Sequence, residues 1–143
     1  MSPAQAGDLP AIRALLTASE LPGADLTPAH LASFWLERDA AGLAGVVGLE
    51  PHGRAALVRS LAVRADGRGR GLGGVLLAHA EAQAPALGIE ALYLLTTTAE
   101  RFFATRGYTV IPRDAAPPAI RATAEFAQLC PASSVCLTKP VAR

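Results

Sequence analysis

Glycine and arginine alternate in one short stretch of the sequence, which lies between two apolar segments. The stretch reads RGRGLGG over residues 68–74, and the apolar segment before it ends in LAV at residues 61–63. Glycine lets backbone N–H groups come close to a ligand, and Arg68 and Arg70 can add charge-assisted hydrogen bonds. A helix that begins here adds about half a positive charge at its N-terminus. This combination predicts an anion-binding loop whose natural ligand is a pyrophosphate.

The alternative is a mobile surface loop with solvated arginines. Two familiar nucleotide motifs do not fit the stretch. The dinucleotide fingerprint opens a βαβ unit, whereas a series of strands precedes this loop. The Lys-Ser/Thr pair of a P-loop is also absent, which argues against ATP or GTP. The strand before the loop and the helix after it favour the anion-binding interpretation.

The first half of the chain must place this loop at the end of a strand. Asp8 and Thr27 are suitable N-caps for two helices, and Gly42 and Gly53 indicate turns between strands. The helices are predicted at 8–20 and 27–34, and antiparallel strands at 34–39, 43–50 and 54–64.

The second half mixes helices and strands. The predicted elements are a helix from 72 to about 88, a strand at 90–97, a helix that ends at Gly107, another strand, a helix beginning at Pro117 or Pro118, and a last strand in SSVCLTK. Strands 54–64 and 90–97 are joined through a helix and should therefore be parallel. We predict a single α/β domain over residues 1–143, with a mixed, mostly antiparallel central sheet and helices on both faces.

The composition excludes several classes of protein. Hydrophobic residues make up 51% of the chain and charged residues 17%, so disorder is not expected. The net charge of +1 does not fit a nucleic-acid partner. No apolar run is long enough to span a membrane, and the N-terminus does not resemble a signal peptide. With two cysteines, too few for a disulfide scaffold, we expect a cytoplasmic protein.

The segment from Leu61 to Gly73 resembles the acetyl-CoA motif of the GNAT superfamily of N-acetyltransferases. That motif reads arginine or glutamine, two residues, glycine, one residue, then glycine or alanine, and Arg68, Gly71 and Gly73 match it. The order of elements is similar to that fold as well. The resemblance implies acetyl-CoA as the donor, with the pantetheine arm on the backbone of residues 61–63. It also implies a splay between the two parallel strands that admits the cofactor.

A second stretch, TTTAERFFATRGYTV at 96–110, is similar to the family's later motif, in which a helix lines the CoA tail. Two residues depart from that motif: Thr96 replaces a frequent asparagine, and Phe103 replaces a tyrosine often proposed as general acid. The cofactor-binding residues that the resemblance implies are Leu61, Ala62, Val63, Arg68, Gly69, Arg70, Gly71, Leu72, Gly73, Gly74, Ala99, Phe102 and Phe103.

Acetyl transfer to an amine needs a neutral amine, a polarised carbonyl and a protonated leaving thiolate. The resemblance implies that a backbone N–H near Val63 polarises the carbonyl. The strand RAALVRSLAV contains no carboxylate that could act as the base. Val63 and Ser60 are therefore the catalytic candidates, and much of the catalysis is expected to come from positioning. Glu50, Ser60 and the threonines at 96–98 are considered for deprotonating the amine through water, and water, Tyr93 or Tyr108 for protonating the thiolate.

Fewer residues indicate which acceptor the protein binds than indicate its donor. Arg59 lies among apolar neighbours and could bind a substrate carboxylate through both nitrogens of its guanidinium group. The alternative is that Arg59 faces solvent or pairs with a nearby acid. Arg121 is a weaker candidate of the same kind, and Glu50 completes the candidate substrate-binding set. The expected partner is a small-molecule amine.

The tail PPAIRATAEFAQLCPASSVCLTK resembles a GNAT branch found with bacterial arsenic-resistance genes. That resemblance implies an amino-acid acceptor or an amino-acid-like arsenical or phosphinic compound. Two thiols, Cys130 and Cys136, are too few to complete a metalloid site. Cys136 lies between Val135 and Leu137 in a predicted strand, a position that favours a buried, inert thiol. The histidines at 30, 52 and 79 lack metal-ligand spacing, so no metal is expected.

Two other functions stay open at this point. One is a catalytically weak acyl-CoA sensor, which Phe103 and the missing strand carboxylate would suit. The other is acetylation of protein N-termini or lysines, although the segment 112–134 argues against it because it could narrow access to the acceptor pocket. The sequence also leaves a homodimer open.

Overall fold

A meander of three strands leads to the glycine loop, as expected. In the computed structural model, which describes residues 1–141, the strands are β2 (Phe34–Asp39), β3 (Gly42–His52) and β4 (Ala55–Val63). Gly42 and Gly53 form the turns with φ angles of 120° and 69°. Side chains other than glycine rarely adopt these angles, so both turns depend on glycine. A two-residue strand, β1 (Ser2–Pro3), pairs with β2 and was too short to predict.

The later strands form a less obvious order. They are β5 (Ala91–Thr96), β6 (Thr109–Ile111) and β7 (Val135–Pro140). The seven-stranded sheet runs β1-β2-β3-β4-β5-β7-β6, so β7 inserts between β5 and β6 and is antiparallel to both. The predicted mixed, mostly antiparallel α/β sheet is confirmed.

The parallel pairing of β4 and β5 is short. It joins Ala55, Ala56 and Leu57 to Ala91, Leu92 and Tyr93, while β4 itself runs on to Val63. The predicted parallel pair is therefore confirmed, and the residues that pair with β5 are the first three of the nine in β4. The part of β4 that leads into the glycine loop lies beyond this register.

The helices are α1 (Leu9–Ala18), α2 (Leu72–Gln83), α3 (Glu100–Ala104) and α4 (Pro118–Arg121). α2 stops before Pro85, which lacks the N–H that an α-helix needs, and a 3₁₀ turn takes its place. No helix within residues 1–141 combines the length and the apolar character needed to cross a membrane.

Two predicted helices have a different form. The helix expected at 27–34 is a 3₁₀ helix, Pro28–Ser33, in which the His30 N–H donates to the Thr27 carbonyl. The helix expected after Pro117 ends at Arg121 and is followed by a π-turn, Glu125–Leu129. The Thr123 hydroxyl donates to the Ile120 carbonyl at 2.7 Å, and such side-chain bonds compete with a regular helix.

The chain divides into two compact units, which are described separately. The first contains residues 1–50 and 59–83, and the second contains 51–58 and the residues from 84 onward. The first core packs the apolar face of α1 (Ile12, Leu15 and Leu16) with Leu26, Leu31, Phe34, Leu36, Val46 and Ala62. The second core contains Leu57, Ala116, Ile120, Phe126 and Cys136.

Gly48 has a packing role in the first unit. It lies opposite Phe34 in the β2–β3 register, and a Cβ built on Gly48 would overlap the buried Phe34 ring. The aromatic ring therefore occupies the place of the missing side chain. Close-packed interiors do not absorb an added methyl group at such a position without moving a neighbour.

We expect Gly48→Ala to lower the free energy of unfolding by about 1–3 kcal/mol, because Phe34 must leave its packed position. Urea unfolding followed by circular dichroism measures this change. Gly7→Ala is the matched control, since a Cβ at Gly7 meets no atom within 4 Å. Equal stability of the two variants would contradict the packing role of Gly48.

Candidate active site

The loop after β4 adopts the conformation that an anion-binding loop requires. A 3₁₀ turn, Ala65–Gly67, leads into Gly69 and Gly71, whose φ angles are 81° and 82°, and α2 begins at Leu72. A Cβ at either glycine would meet no atom within 4 Å, so the space beside the backbone is open. The N–H groups of the first turn of a helix have no partner within that helix. The loop can therefore offer them to an anion.

The loop is anchored by an arginine that the sequence analysis did not single out. Arg64 forms ion pairs with Asp39 and Asp66, and it also donates to the carbonyl of Leu43. The two carboxylates raise the pKa of the guanidinium above its usual range. Arg64 therefore ties the loop to the β2–β3 turn. The sequence contains one indication of this anchoring role, because Arg64 is a charged residue at the junction of strand and loop.

The two arginines within the motif differ in environment. Arg68 folds back, with Nε donating to the carbonyl of Val63 at 3.0 Å and a terminal nitrogen 3.3 Å from the Ser19 hydroxyl. Arg70 is exposed. Both arginines are exposed, and Arg68 stabilises the exit of the strand through its bond to Val63.

Strand β4 carries a local distortion just before the predicted pantetheine-binding residues. Ser60 has a φ of 59°, a left-handed conformation within a strand, and the residue is buried. Left-handed backbone in a residue other than glycine is uncommon, and such strain is often found at functional sites. Ala62 is also buried, whereas Leu61 and Val63 are partly exposed. The distortion at Ser60 therefore lies directly before residues 61–63, where the resemblance implies that the pantetheine arm binds.

Arg59 is the centre of a buried charged cluster. Its side chain has 0% exposure, and its terminal nitrogens donate to both oxygens of Asp25, at 2.6 and 2.7 Å. One of these nitrogens also donates to Glu50 at 2.9 Å, and Nε donates to the Ser60 hydroxyl at 3.2 Å. Of the alternatives that the sequence left open, pairing with nearby acids is the one observed. A substrate-binding role for Arg59 stays a prediction.

Asp25 and His30 belong to the same cluster, although the sequence analysis gave neither a functional role. The hydrogen bonds from Arg59 hold the pKa of Asp25 below its ordinary value, so this carboxyl group is ionised at neutral pH. His30 Nε2 lies 3.8 Å from Glu50, and its Nδ1 accepts a hydrogen bond from the N–H of Thr27. Asp25 and His30 lie 20 or more positions before Glu50 and Arg59 in the sequence, so no spacing rule predicts that they meet.

The cluster contains groups that often bind metals. Ligand atoms of Asp25, His30 and Glu50 lie within 4.8 Å of one another. However, one nitrogen of Arg59 already lies 2.6 Å from Asp25 and 2.9 Å from Glu50. A metal ion at this place would meet a fixed positive charge, so the arrangement is better described as an ion-pair network.

The second unit contains the residues that resembled the CoA-tail motif. The Thr96 hydroxyl accepts a hydrogen bond from the N–H of Ala99 at 3.0 Å, so threonine organises the start of α3. Phe103 is buried, with edge-to-face contacts to Phe102 and Tyr108 at 5.0 and 5.5 Å between ring centroids. The position therefore has a packing role that the sequence did not reveal.

Arg121, the second arginine considered for the acceptor, also lies in this unit. It is exposed, and its Nε donates to the carbonyl of Ala116 at 3.0 Å. The observed contact therefore supports the turn that precedes α4. Its role in binding an acceptor stays a prediction.

Comparisons with known proteins identify the family. A model of the GNAT acetyltransferase domain matches residues 30–110, more than half of the chain. This segment includes the meander, the glycine loop and α3. The chain belongs to the GNAT acetyltransferase family, as the motif at 68–73 predicted.

Solved structures show the same fold. N-acetylglutamate synthase from Neisseria gonorrhoeae, in complex with coenzyme A and N-acetyl-glutamate, is 26% identical with a TM-score of 0.83 and covers 99% of this chain. This chain spans only about a third of that protein, 34% of its length. The Mycobacterium tuberculosis protein Rv2747, in complex with CoA, is 20% identical with a TM-score of 0.80, and each chain covers 98% of the other. Tetrahymena GCN5 has a TM-score of 0.70 at 16% identity, covering 94% of this chain and 86% of its own.

The two cysteines have different environments. Cys136 is buried in the core of the second unit, and this burial raises the pKa of its thiol to about 11. The prediction of a buried Cys136 is confirmed. Cys130 is partly exposed, and its Sγ lies 3.8 Å from a carboxylate oxygen of Glu125. Thiol reactivity depends on the thiolate and on access, and Cys136 is disfavoured on both counts.

We expect iodoacetamide to alkylate Cys136 at least about tenfold more slowly than Cys130 at pH 8 in the folded protein. Mass spectrometry of the peptides after timed labelling gives the two rates. Protein unfolded in urea is the control, because both thiols are then exposed and should react at similar rates. Fast labelling of Cys136 in the folded state would contradict its burial.

Proposed function

We propose that the protein is an acetyl-CoA-dependent N-acetyltransferase that acts on the primary amine of a small molecule. The observation that supports this most directly is the loop between β4 and α2. There, Gly69 and Gly71 adopt left-handed angles at the start of a helix, inside the segment that matches the GNAT family. The complexes of N-acetylglutamate synthase and Rv2747 with coenzyme A support the same donor.

The donor is proposed to bind mainly through backbone groups. The N–H groups from Arg68 to Gly74 would hold the pyrophosphate, with Arg70 adding charge from outside. The open space beside Gly69 and Gly71 fits an approaching phosphate, since a side chain there would fill it. The backbone of Leu61–Val63 would hold the pantetheine arm. For the second unit we keep Ala99, Phe102 and Phe103 as proposed contacts of the CoA tail.

The chain's own groups suggest how the transfer proceeds. Acetyl-CoA supplies the activated carbonyl carbon, which forms a bond to the acceptor nitrogen as the carbon–sulfur bond breaks. The N–H of Val63 is proposed to donate to the carbonyl oxygen and so stabilise the charge that develops there. Glu50, partly exposed beside Arg59, is proposed to receive the amine proton through water. Position 103 holds phenylalanine, so the proposed proton sources for the departing thiolate are water, Tyr93 and Tyr108.

An amino acid or an amino-acid-like compound is the proposed acceptor. N-acetylglutamate synthase was crystallised with an N-acetylated amino acid and has the same fold over nearly all of this chain. The carboxylate of Glu50 suits the ammonium group of such an acceptor. The resemblance of residues 117–139 to the arsenic-resistance branch extends the proposal to arsenical and phosphinic amino-acid analogues. Arg121 in that segment is a proposed contact for the acceptor's acidic group.

We expect Gly71→Asp to abolish coenzyme A binding, because it forces a side chain into a left-handed position and adds a negative charge to the anion-binding loop. Isothermal titration calorimetry with coenzyme A measures the effect. Gly53→Asp is the matched control, since Gly53 also has a positive φ and open space but lies in the β3–β4 turn. Unchanged affinity in Gly71→Asp would overturn the proposed loop function.

We expect the wild-type protein to release thiol from acetyl-CoA with at least one free amino acid and to leave peptide N-termini unmodified. The assay follows free coenzyme A with a thiol reagent, across the common amino acids, phosphinothricin and a set of short peptides. Coenzyme A binding without any turnover would favour an acyl-CoA sensor. Turnover with peptides alone would favour a protein acetyltransferase.

A further inference from the structure

We propose that Asp25 is a positioning residue for acetyl transfer: it holds Arg59 so that Arg59 orients Glu50 and Ser60. This inference rests on the proposed function, which gives Glu50 its role, and on Ser60 as the catalytic candidate that the sequence indicated. Asp25 itself contacts neither the glycine loop nor Ser60 in the described hydrogen bonds. Its effect is transmitted through the guanidinium group.

The geometry of Arg59 supports this role. Asp25 binds both terminal nitrogens of the guanidinium, one oxygen to each, which is the arrangement that fixes the orientation of a planar fork. With the plane fixed, one terminal nitrogen is directed to Glu50 and Nε is directed to Ser60. A single carboxylate thus sets the direction of two further hydrogen bonds.

The charges of the cluster also support a positioning role for Asp25. Two carboxylates, Asp25 and Glu50, pair with one guanidinium. Asp25 accepts hydrogen bonds from both terminal nitrogens of Arg59. Glu50 accepts one from a terminal nitrogen of Arg59, and its partly exposed carboxylate can contribute negative charge toward an acceptor ammonium. Without Asp25, the buried guanidinium would draw more strongly on Glu50 as a counter-ion.

The segment that carries Asp25 has anchors of its own. Leu26 is buried in the first core, and its carbonyl accepts a hydrogen bond from Arg13 of α1. Asp25 is therefore not required to attach this segment to the unit. Its bidentate bond neutralises the buried guanidinium of Arg59 and, by engaging both terminal nitrogens, also fixes the orientation of that group.

The test compares Asp25→Asn and Asp25→Ala with the wild type. Steady-state rates are measured with acetyl-CoA and the amino acid that the wild type acetylates fastest. We expect kcat/KM for the amino acid to fall about tenfold or more, while KM for acetyl-CoA changes less than about twofold. Asp8→Asn is the matched control, because Asp8 also accepts from an arginine at 2.6 Å and is about as exposed as Asp25, but that arginine, Arg38, has an exposed side chain.

Chemical rescue separates orientation from folding. Asp25→Ala leaves space beside the guanidinium, so added sodium formate can supply a carboxylate to Arg59. We expect formate, but not sodium chloride at the same ionic strength, to restore part of the lost kcat/KM in Asp25→Ala. The same salt should have no effect on the wild type or on Asp8→Asn. Thermal melting of each variant, with and without formate, shows whether the recovered activity follows recovered folding.

Three outcomes would overturn the proposal. They are wild-type rates in both Asp25 variants, an equal loss for the amino acid and for acetyl-CoA, and a loss that tracks thermal melting without formate rescue. A wild-type protein that acetylates no amine at all would instead contradict the proposed function, which the first measurement of the series establishes.

Discussion

The first unit contains a positive charge that is fully buried, and the need to neutralise this charge constrains how its segments are arranged. The guanidinium of Arg59 lies inside the protein, where an unpaired ion would cost several kcal/mol. Three different segments meet this requirement: the one before the 3₁₀ helix supplies Asp25, β3 supplies Glu50, and β4 supplies Ser60. The arrangement of these segments is therefore tied to one electrostatic requirement.

The first unit also contains positive groups around the start of α2, and these have a different role. Around the start of α2, positive φ angles and open space leave backbone N–H groups accessible, while Arg64 is neutralised by Asp39 and Asp66. In one region the protein surrounds a cation with its own anions, and in the other it leaves positive groups for an external anion. This difference separates a cluster whose cation is already neutralised within the protein from a loop that can bind an external anion, although both contain arginine.

Local signals explain what could be predicted from the sequence. Turn glycines, the apolar face of α1 and the place of the loop at 68–74 between a strand and a helix depend on residues close together in the chain, and these features were predicted correctly. The position of β7 between β5 and β6 could not be predicted, because strand order depends on long-range pairing. The Asp25–Arg59 pair likewise joins distant segments. Arg59 itself was noticed as a charge among apolar residues, but its partners became visible only in three dimensions.

The insertion of β7 has a consequence for how the second unit forms. β5 is paired with β7 along all six of its residues, and β6 pairs with β7 as well, yet β7 follows both in the chain. Until residues 135–140 arrive, β5 and β6 present unpaired backbone edges, which are prone to pair with other chains. Completion of this unit is thus a late, long-range event during synthesis, and such events are slow. We therefore expect the newly made chain to be most vulnerable to aggregation while its sheet waits for this strand.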